Sequence, residues 1–148
     1  MNVATVSLSL RNQVAFITGG GRGIGAATAQ ALASRGAHVI VASRTESELS
    51  ATVAEIQTTG LSASAIKLDV ADETEVDAAF VGIAAAFGRL DILVNNAAIL
   101  LGGPFADMVM SDWDQVMAVN LRGATLCARG AFQLMSNGGS IVNVSSLG

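Results

Sequence analysis

One pattern limits what this chain can fold into more than any other: short apolar runs alternate with longer segments of helical composition. The runs are "QVAFIT" (13–18), "AHVIVAS" (37–43), "LSASAIKLDV" (61–70), "LDILVNNA" (90–97) and "GGSIVNVSS" (138–146). Between them lie "IGAATAQALASRG" (24–36), "TESELSATVAEIQTTG" (45–60), "DETEVDAAFVGIAAAFG" (72–88) and a helical pattern from about Ser111 to Met135. Strands this uniformly apolar cannot leave one face in water, so both faces must be covered, and helical crossovers make neighbouring strands parallel. Right-handed crossovers then predict an α/β fold, a Rossmann-like doubly wound parallel sheet of five strands in order 3-2-1-4-5 with helices on both faces. No linker or repeat interrupts residues 1–148, which predicts a single domain.

Local signals agree with this. Gly36 closes the first helix, and acids fill the first turn of the third. Thr45 is expected as the N-cap of the second helix, with Glu48 three residues on as its capping-box partner.

Composition excludes several classes of partner. With 51% apolar and 14% charged residues, the chain is rich in core formers. Its net charge of −4 argues against a nucleic-acid partner. No apolar run reaches the length of a membrane span. The start, "MNVATVSLSLRNQ", lacks the basic region and apolar core of a signal peptide. A lone cysteine, Cys127, read as a small buried helix residue, fits a reducing cytoplasm. No metal site is expected.

The chemistry starts at "FITGGGRGIGAA" (16–27), where the first strand meets the first helix. Glycines there allow a tight turn and close approach to a pyrophosphate, and the helix N-terminus offers free N–H groups. The dinucleotide pattern fits loosely, as Gly21-x-Gly23-x-x-Ala26. At the end of the second strand, where an NAD-selecting acid would stand, the sequence reads Ala42-Ser43-Arg44. Serine leaves room there, and arginine pairs bidentately with a phosphate. Arg22 approaches the same place from the glycine loop. Together they favour NADP(H) over NAD(H).

These residues resemble the short-chain dehydrogenase/reductase family. Its cofactor loop is TGxxxGxG, and Thr18-Gly19-Gly20-Gly21-Arg22-Gly23-Ile24-Gly25 is a full match. The resemblance implies that Asp69 and Val70 contact the adenine and that Asn96, Ala97 and Ala98 line the cofactor, with Asn95 holding the central sheet together. The family reads NNAG where this chain has Asn95-Asn96-Ala97-Ala98. A Cβ at Ala98 would crowd the cofactor if the backbone there required a positive φ. In "VMAVNLRGA", Asn120 matches the asparagine that helps hold a water in a proton relay. Ser146 matches the serine that orients the substrate carbonyl.

The family's general acid is a tyrosine beyond that serine, and a lysine four residues later supports it. This sequence has no tyrosine; its lysine, Lys67, lies in the third strand on the adenine side. The resemblance therefore implies the cofactor half of an oxidoreductase acting on a small carbonyl or alcohol substrate, without its proton donor and with negligible turnover alone. It also implies a dimeric or tetrameric parent, joined through the helix that carries Asn120. Without further chain, the fifth strand is expected to be an exposed apolar edge. A non-catalytic dinucleotide-binding module, acting as a redox sensor or partner subunit, is the alternative.

Overall fold

The computed structural model describes residues 9–146. The readings made on residues 1–8 and on Leu147 and Gly148 lie outside the described residues. The strands are β1 (Val14–Thr18), β2 (His38–Ser43), β3 (Ala63–Lys67), β4 (Ile92–Asn95) and β5 (Ser140–Asn143). They form one sheet in the order β3-β2-β1-β4-β5, and every neighbouring pair is parallel. The expected topology is the observed one. The helices are α1 (Gly23–Ser34), α2 (Glu46–Thr58), α3 (Glu73–Phe87), α4 (Met110–Met117) and α5 (Ala124–Leu134).

The period-2 geometry of β1 divides the core in two. Val14 and Phe16 point to one face, where Val76, Phe80 and Ile83 of α3 meet Leu126, Cys127 and Ala131 of α5. Ala15 and Ile17 point to the other, against Ala29 and Ala33 of α1 and Leu49 and Ile56 of α2. This explains why β1 carries no polar alternation: all five of its residues are buried. Phe16 and Phe80 pack edge to face with ring centroids 5.4 Å apart, a favoured aromatic geometry. Gly130 of α5 lies where any Cβ would collide with the Phe80 ring, so small residues set the α3–α5 spacing.

Polar groups tie down both ends of the sheet. At its amino-terminal end, the buried Asp91 carboxylate accepts the Val14 N–H at 2.8 Å and is paired with Arg89. At the carboxyl end, Asn95 Nδ2 donates to Asn143 Oδ1 at 2.9 Å and to the Ala124 carbonyl at 3.1 Å. Asn95 thus joins β4 to β5 and α5, the central role expected of it. Its Oδ1 is the buried side-chain polar atom left without a hydrogen-bond partner among the described residues.

Two local expectations need correction. The long helix is not one α-helix. Between α4 and α5 the segment Ala118–Gly123 is a π-helix, and Asn120 sits within it. Gly123 is pressed onto Val70, where a Cβ would stand 2.8 Å from Val70 Cγ2. The Asn120 side chain is also bound to the loop after β4, and both constraints favour the wider turn. The capping box does not form either. Thr45 is at the N-cap, but its side chain makes no cap hydrogen bond. Its N–H donates instead to Ser43 Oγ at 3.3 Å, which frees Glu48 for another partner.

Candidate functional site

A cleft of about 320 Å³ opens at the carboxyl ends of β1, β2 and β4, the place where open α/β sheets bind ligands. It lies at the small end of the roughly 300–1,000 Å³ typical of ligand sites. Gly19, Gly21, Arg22 and Ile24 of the glycine loop line one wall. Ser43, the last residue of β2, and Arg44 after it close one end; Asp69 and Val70, after β3, and Asn96, Ala97 and Ala98, after β4, complete it.

The turn works because its backbone is bare. Gly19 has φ +64°, and a Cβ there would lie 2.8 Å from Asn96 Nδ2. A Cβ at Gly25 would overlap the Gly19 carbonyl oxygen, so α1 can start directly beneath the turn only with glycine at that position. The first turn of α1 contains no acid and its N-cap, Arg22, gives no side-chain cap. By contrast, Asp72 Oδ1 accepts the N–H groups of Thr74 and Glu75 at the start of α3. The start of α1, beside the cleft-lining Arg22 and Ile24, thus brings no anionic side chain of its own to its N-terminal amides. A dinucleotide pyrophosphate fits that arrangement.

Thr18 and Gly25 are buried and Gly23 is exposed; none of the three lines the cleft. Thr18 is buried; its Oγ1 accepts the N–H groups of Asn96 and Ala97 at 3.0 and 3.1 Å. Asn96 Nδ2 returns two hydrogen bonds, to the carbonyls of Thr18 and Gly19, each at 3.1 Å. The loops after β1 and β4 are therefore fastened together. The Asp69 carboxylate accepts the Ala71 N–H at 3.0 Å, while the Asp69 N–H donates to Glu75 Oε2 at 2.8 Å. Among the described residues, Asn12 is the one non-glycine with positive φ. Ala98 therefore has no such backbone strain, and the condition under which its Cβ would crowd a cofactor is not met.

Asn120 and Ser146 lie outside the lining. Asn120 Oδ1 accepts the Ile99 N–H, and its Nδ2 donates to the Ile99 carbonyl, both at 2.9 Å. The amide thus imitates a strand partner and pins the loop beyond β4; its neighbour Val119 and Ile99 itself line the cleft. The Val144 N–H donates to the Asn95 carbonyl at 2.9 Å, extending the β4–β5 ladder. Ser146 follows that ladder at the same end of the sheet.

Two participants escaped the sequence reading. Thr52 of α2 is buried and donates to the Gly21 carbonyl at 3.0 Å, and a polar residue on an apolar helix face was the available signal. Glu48 lines the cleft and lies 3.6 Å from the Arg22 Nε. Its capping-box spacing concealed that role.

His38 and Cys127 are far from such work. His38, at the amino end of β2, has Ser62 Oγ and Ser64 Oγ at 2.6 and 2.9 Å from its ring nitrogens, and burial lowers its pKa. Cys127 is fully buried, and desolvation pushes its thiol pKa up to about 12. Among the described residues no group of three metal-ligating side chains occurs, and no helix is long and apolar enough to cross a membrane.

Comparison with known proteins agrees with this geometry. The family model for short chain dehydrogenase matches residues 13–148. The chain is 44% identical over 147 residues to the short-chain reductase protein NovJ of Streptomyces niveus, covering 97% of this chain and 56% of that one. It is 39% identical over 142 residues to a 3-oxoacyl-[acyl-carrier-protein] reductase of Synechocystis, covering 94% and 58% respectively. A solved metagenomic short-chain oxidoreductase in complex with NADP superposes with a TM-score of 0.89 at 40% identity, over 94% of this chain and 64% of that one. The chain therefore spans little more than half the length of the curated relatives it matches. With the family model matching nearly the whole sequence and relatives about 40% identical along it, the chain belongs to the short-chain dehydrogenase/reductases.

Proposed function

We propose that this chain is the cofactor-binding part of an NADP(H)-dependent oxidoreductase acting on a small carbonyl or alcohol substrate. One observation carries the reading: the bare glycine turn and the Arg22, Ser43 and Arg44 group lie at two places in one cleft. The loop amides and the α1 N-terminus would hold the pyrophosphate. Arg22 and Arg44 would hold the 2′-phosphate, with Ser43 leaving room for it. Asp69 and Val70 would flank the adenine, and Asn96, Ala97 and Ala98 would line the middle of the cofactor. The relative solved with NADP supports the same preference. When bound, the cofactor supplies the hydride.

This chain's own catalytic contribution would be positional. Asn120, fixed on Ile99, would help order a water, and Ser146 would orient the substrate oxygen. Proton delivery has no good candidate in these 148 residues, which contain no tyrosine. His38 lies at the opposite end of β2 from the cleft, and the raised Cys127 pKa keeps that thiol neutral. A missing general acid costs about 10²–10⁴-fold, so turnover by the chain alone is negligible. The parent enzyme would be cytoplasmic, consistent with one buried cysteine, and would assemble as a dimer or tetramer.

The test is fluorescence titration of the chain with NADPH and NADH. NADPH should bind more tightly, and Arg44→Gln should weaken NADPH by about tenfold, in line with a charge-assisted phosphate contact, while sparing NADH. Equal affinities for the two, unchanged by Arg44→Gln, would overturn the preference.

A further inference from the structure

The end of β2 carries no acid, yet the fold brings one there from the next helix. Glu48, in the first turn of α2, lines the same end of the cleft as Ser43 and Arg44. Three distances fix its position. The point where a Cβ on Gly21 would stand is 3.0 Å from Ser43 Oγ and 3.3 Å from Glu48 Oε2. Glu48 Oε1 is also 3.6 Å from Arg22 Nε. The carboxylate therefore shares a corner with the Ser43 hydroxyl and engages one of the two arginines assigned to the phosphate.

Its backbone is fixed there. The neighbouring Leu49 is buried in the core beneath α2, and Thr52, one turn on, is hydrogen-bonded to the Gly21 carbonyl. The side chain remains adjustable, and the Arg22 side chain is 84% exposed. A separation of 3.6 Å is longer than a hydrogen bond, so the pair opens at little cost.

We infer that Glu48 sets how strongly this site prefers a cofactor with a 2′-phosphate over one with a free 2′-hydroxyl, an inference that rests on the cofactor reading above. A ribose hydroxyl can donate a hydrogen bond to the carboxylate, the role an acid at the end of the second strand usually fills. A 2′-phosphate meets the same carboxylate as a like charge and must also draw Arg22 away from it. One residue thus supports the first cofactor and opposes the second, and specificity is the difference between the two affinities. Arg44, which lines the same cleft, favours the phosphate. Opposed by Glu48, the site discriminates only modestly.

The experiment is isothermal titration calorimetry of the 148-residue chain with adenosine 2′,5′-bisphosphate and with 5′-AMP, which differ only at the 2′ position. It is repeated with Glu48→Gln and Glu48→Ala, after thermal melts show that both fold. Removing a like charge at contact range should tighten the bisphosphate by about fivefold to tenfold in both variants. Binding of 5′-AMP should stay level or weaken. A bisphosphate-to-AMP affinity ratio that moves by less than about twofold in folded variants would overturn the inference. The Arg44→Gln chain separates the two levels of the reading. If Arg44→Gln weakens the bisphosphate while the Glu48 variants change nothing, the Glu48 assignment fails and the cofactor site stands. If neither probe binds any of these chains, both fall together.

Discussion

Thr18 shows how much of the site depends on atoms that never face the cleft. Its hydroxyl accepts two backbone N–H groups, from Asn96 and Ala97, and donates to the Val94 carbonyl at 3.4 Å. Thr18→Val keeps the shape and strands both donors. It should cost about 2–3 kcal/mol, since each buried N–H left unpaired loses on the order of 1 kcal/mol or more. Urea denaturation would read that loss, with Thr18→Ser close to the parent as the control. Cys127 gives a pH prediction. Its folded pKa is raised from 9.0 to about 12, so between those values the folded chain holds a proton that the unfolded chain has released. Stability must then fall as pH rises from 9.0 towards 12. Cys127→Ala should remove that part of the alkaline decline in denaturation curves, and the parent thiol should resist alkylation until the chain unfolds. The resemblance named Thr18 as a cofactor contact; its position behind the cleft emerges only when the loops after β1 and β4 are seen together.

At the scale of elements, the segment that departs most from sequence expectation is the helix around Asn120. Its composition reads as continuous helix, because no proline or charge cluster marks a break in residues 111–134. The π turn arises instead from contacts distant in sequence, with Val70 beneath Gly123 and Ile99 beside Asn120. π turns frequently mark functional positions, which fits the role proposed for this asparagine. Asn120→Ala removes both hydrogen bonds to Ile99 and should destabilise the chain by about 1–2 kcal/mol. Hydrogen exchange should show the Ile99 amide losing protection while amides in β1 keep theirs. Unchanged Ile99 protection would mean that packing of Val119 holds the loop without the amide. The failed capping box at Thr45 has the same origin. The Thr-x-x-Glu spacing is real, but Ser43 reaches the Thr45 amide first and Arg22 attracts Glu48.

For the whole molecule, the strands of the sheet are covered unequally. The strands β1 and β2 are covered on both sides, whereas β5 is exposed along its length, including Ile141 and Val142. An unpaired strand edge with apolar side chains invites pairing with another chain. Sedimentation velocity on the 148-residue chain should therefore show association that grows with concentration. Val142→Lys, which places a charge on that edge, should reduce it, and a parent that stays monomeric at high concentration would refute the prediction. Strand order, layer arrangement and glycine-loop position were legible in the sequence, because they follow from local regularities: apolar runs that need two covered faces, crossovers of one hand, and glycines between a strand and a helix. The Ser43-Arg44 pair was legible for the same reason, since strand ends in this topology have fixed destinations. Only the tertiary structure decided that Glu48 joins that pair, that Asn120 sits in a π turn, and that Thr18 and Thr52 brace the glycine loop from behind. Those facts depend on which side chains from distant segments meet. Short-range patterns carry no record of such meetings, because packing across the sheet, and not spacing along the chain, determines them.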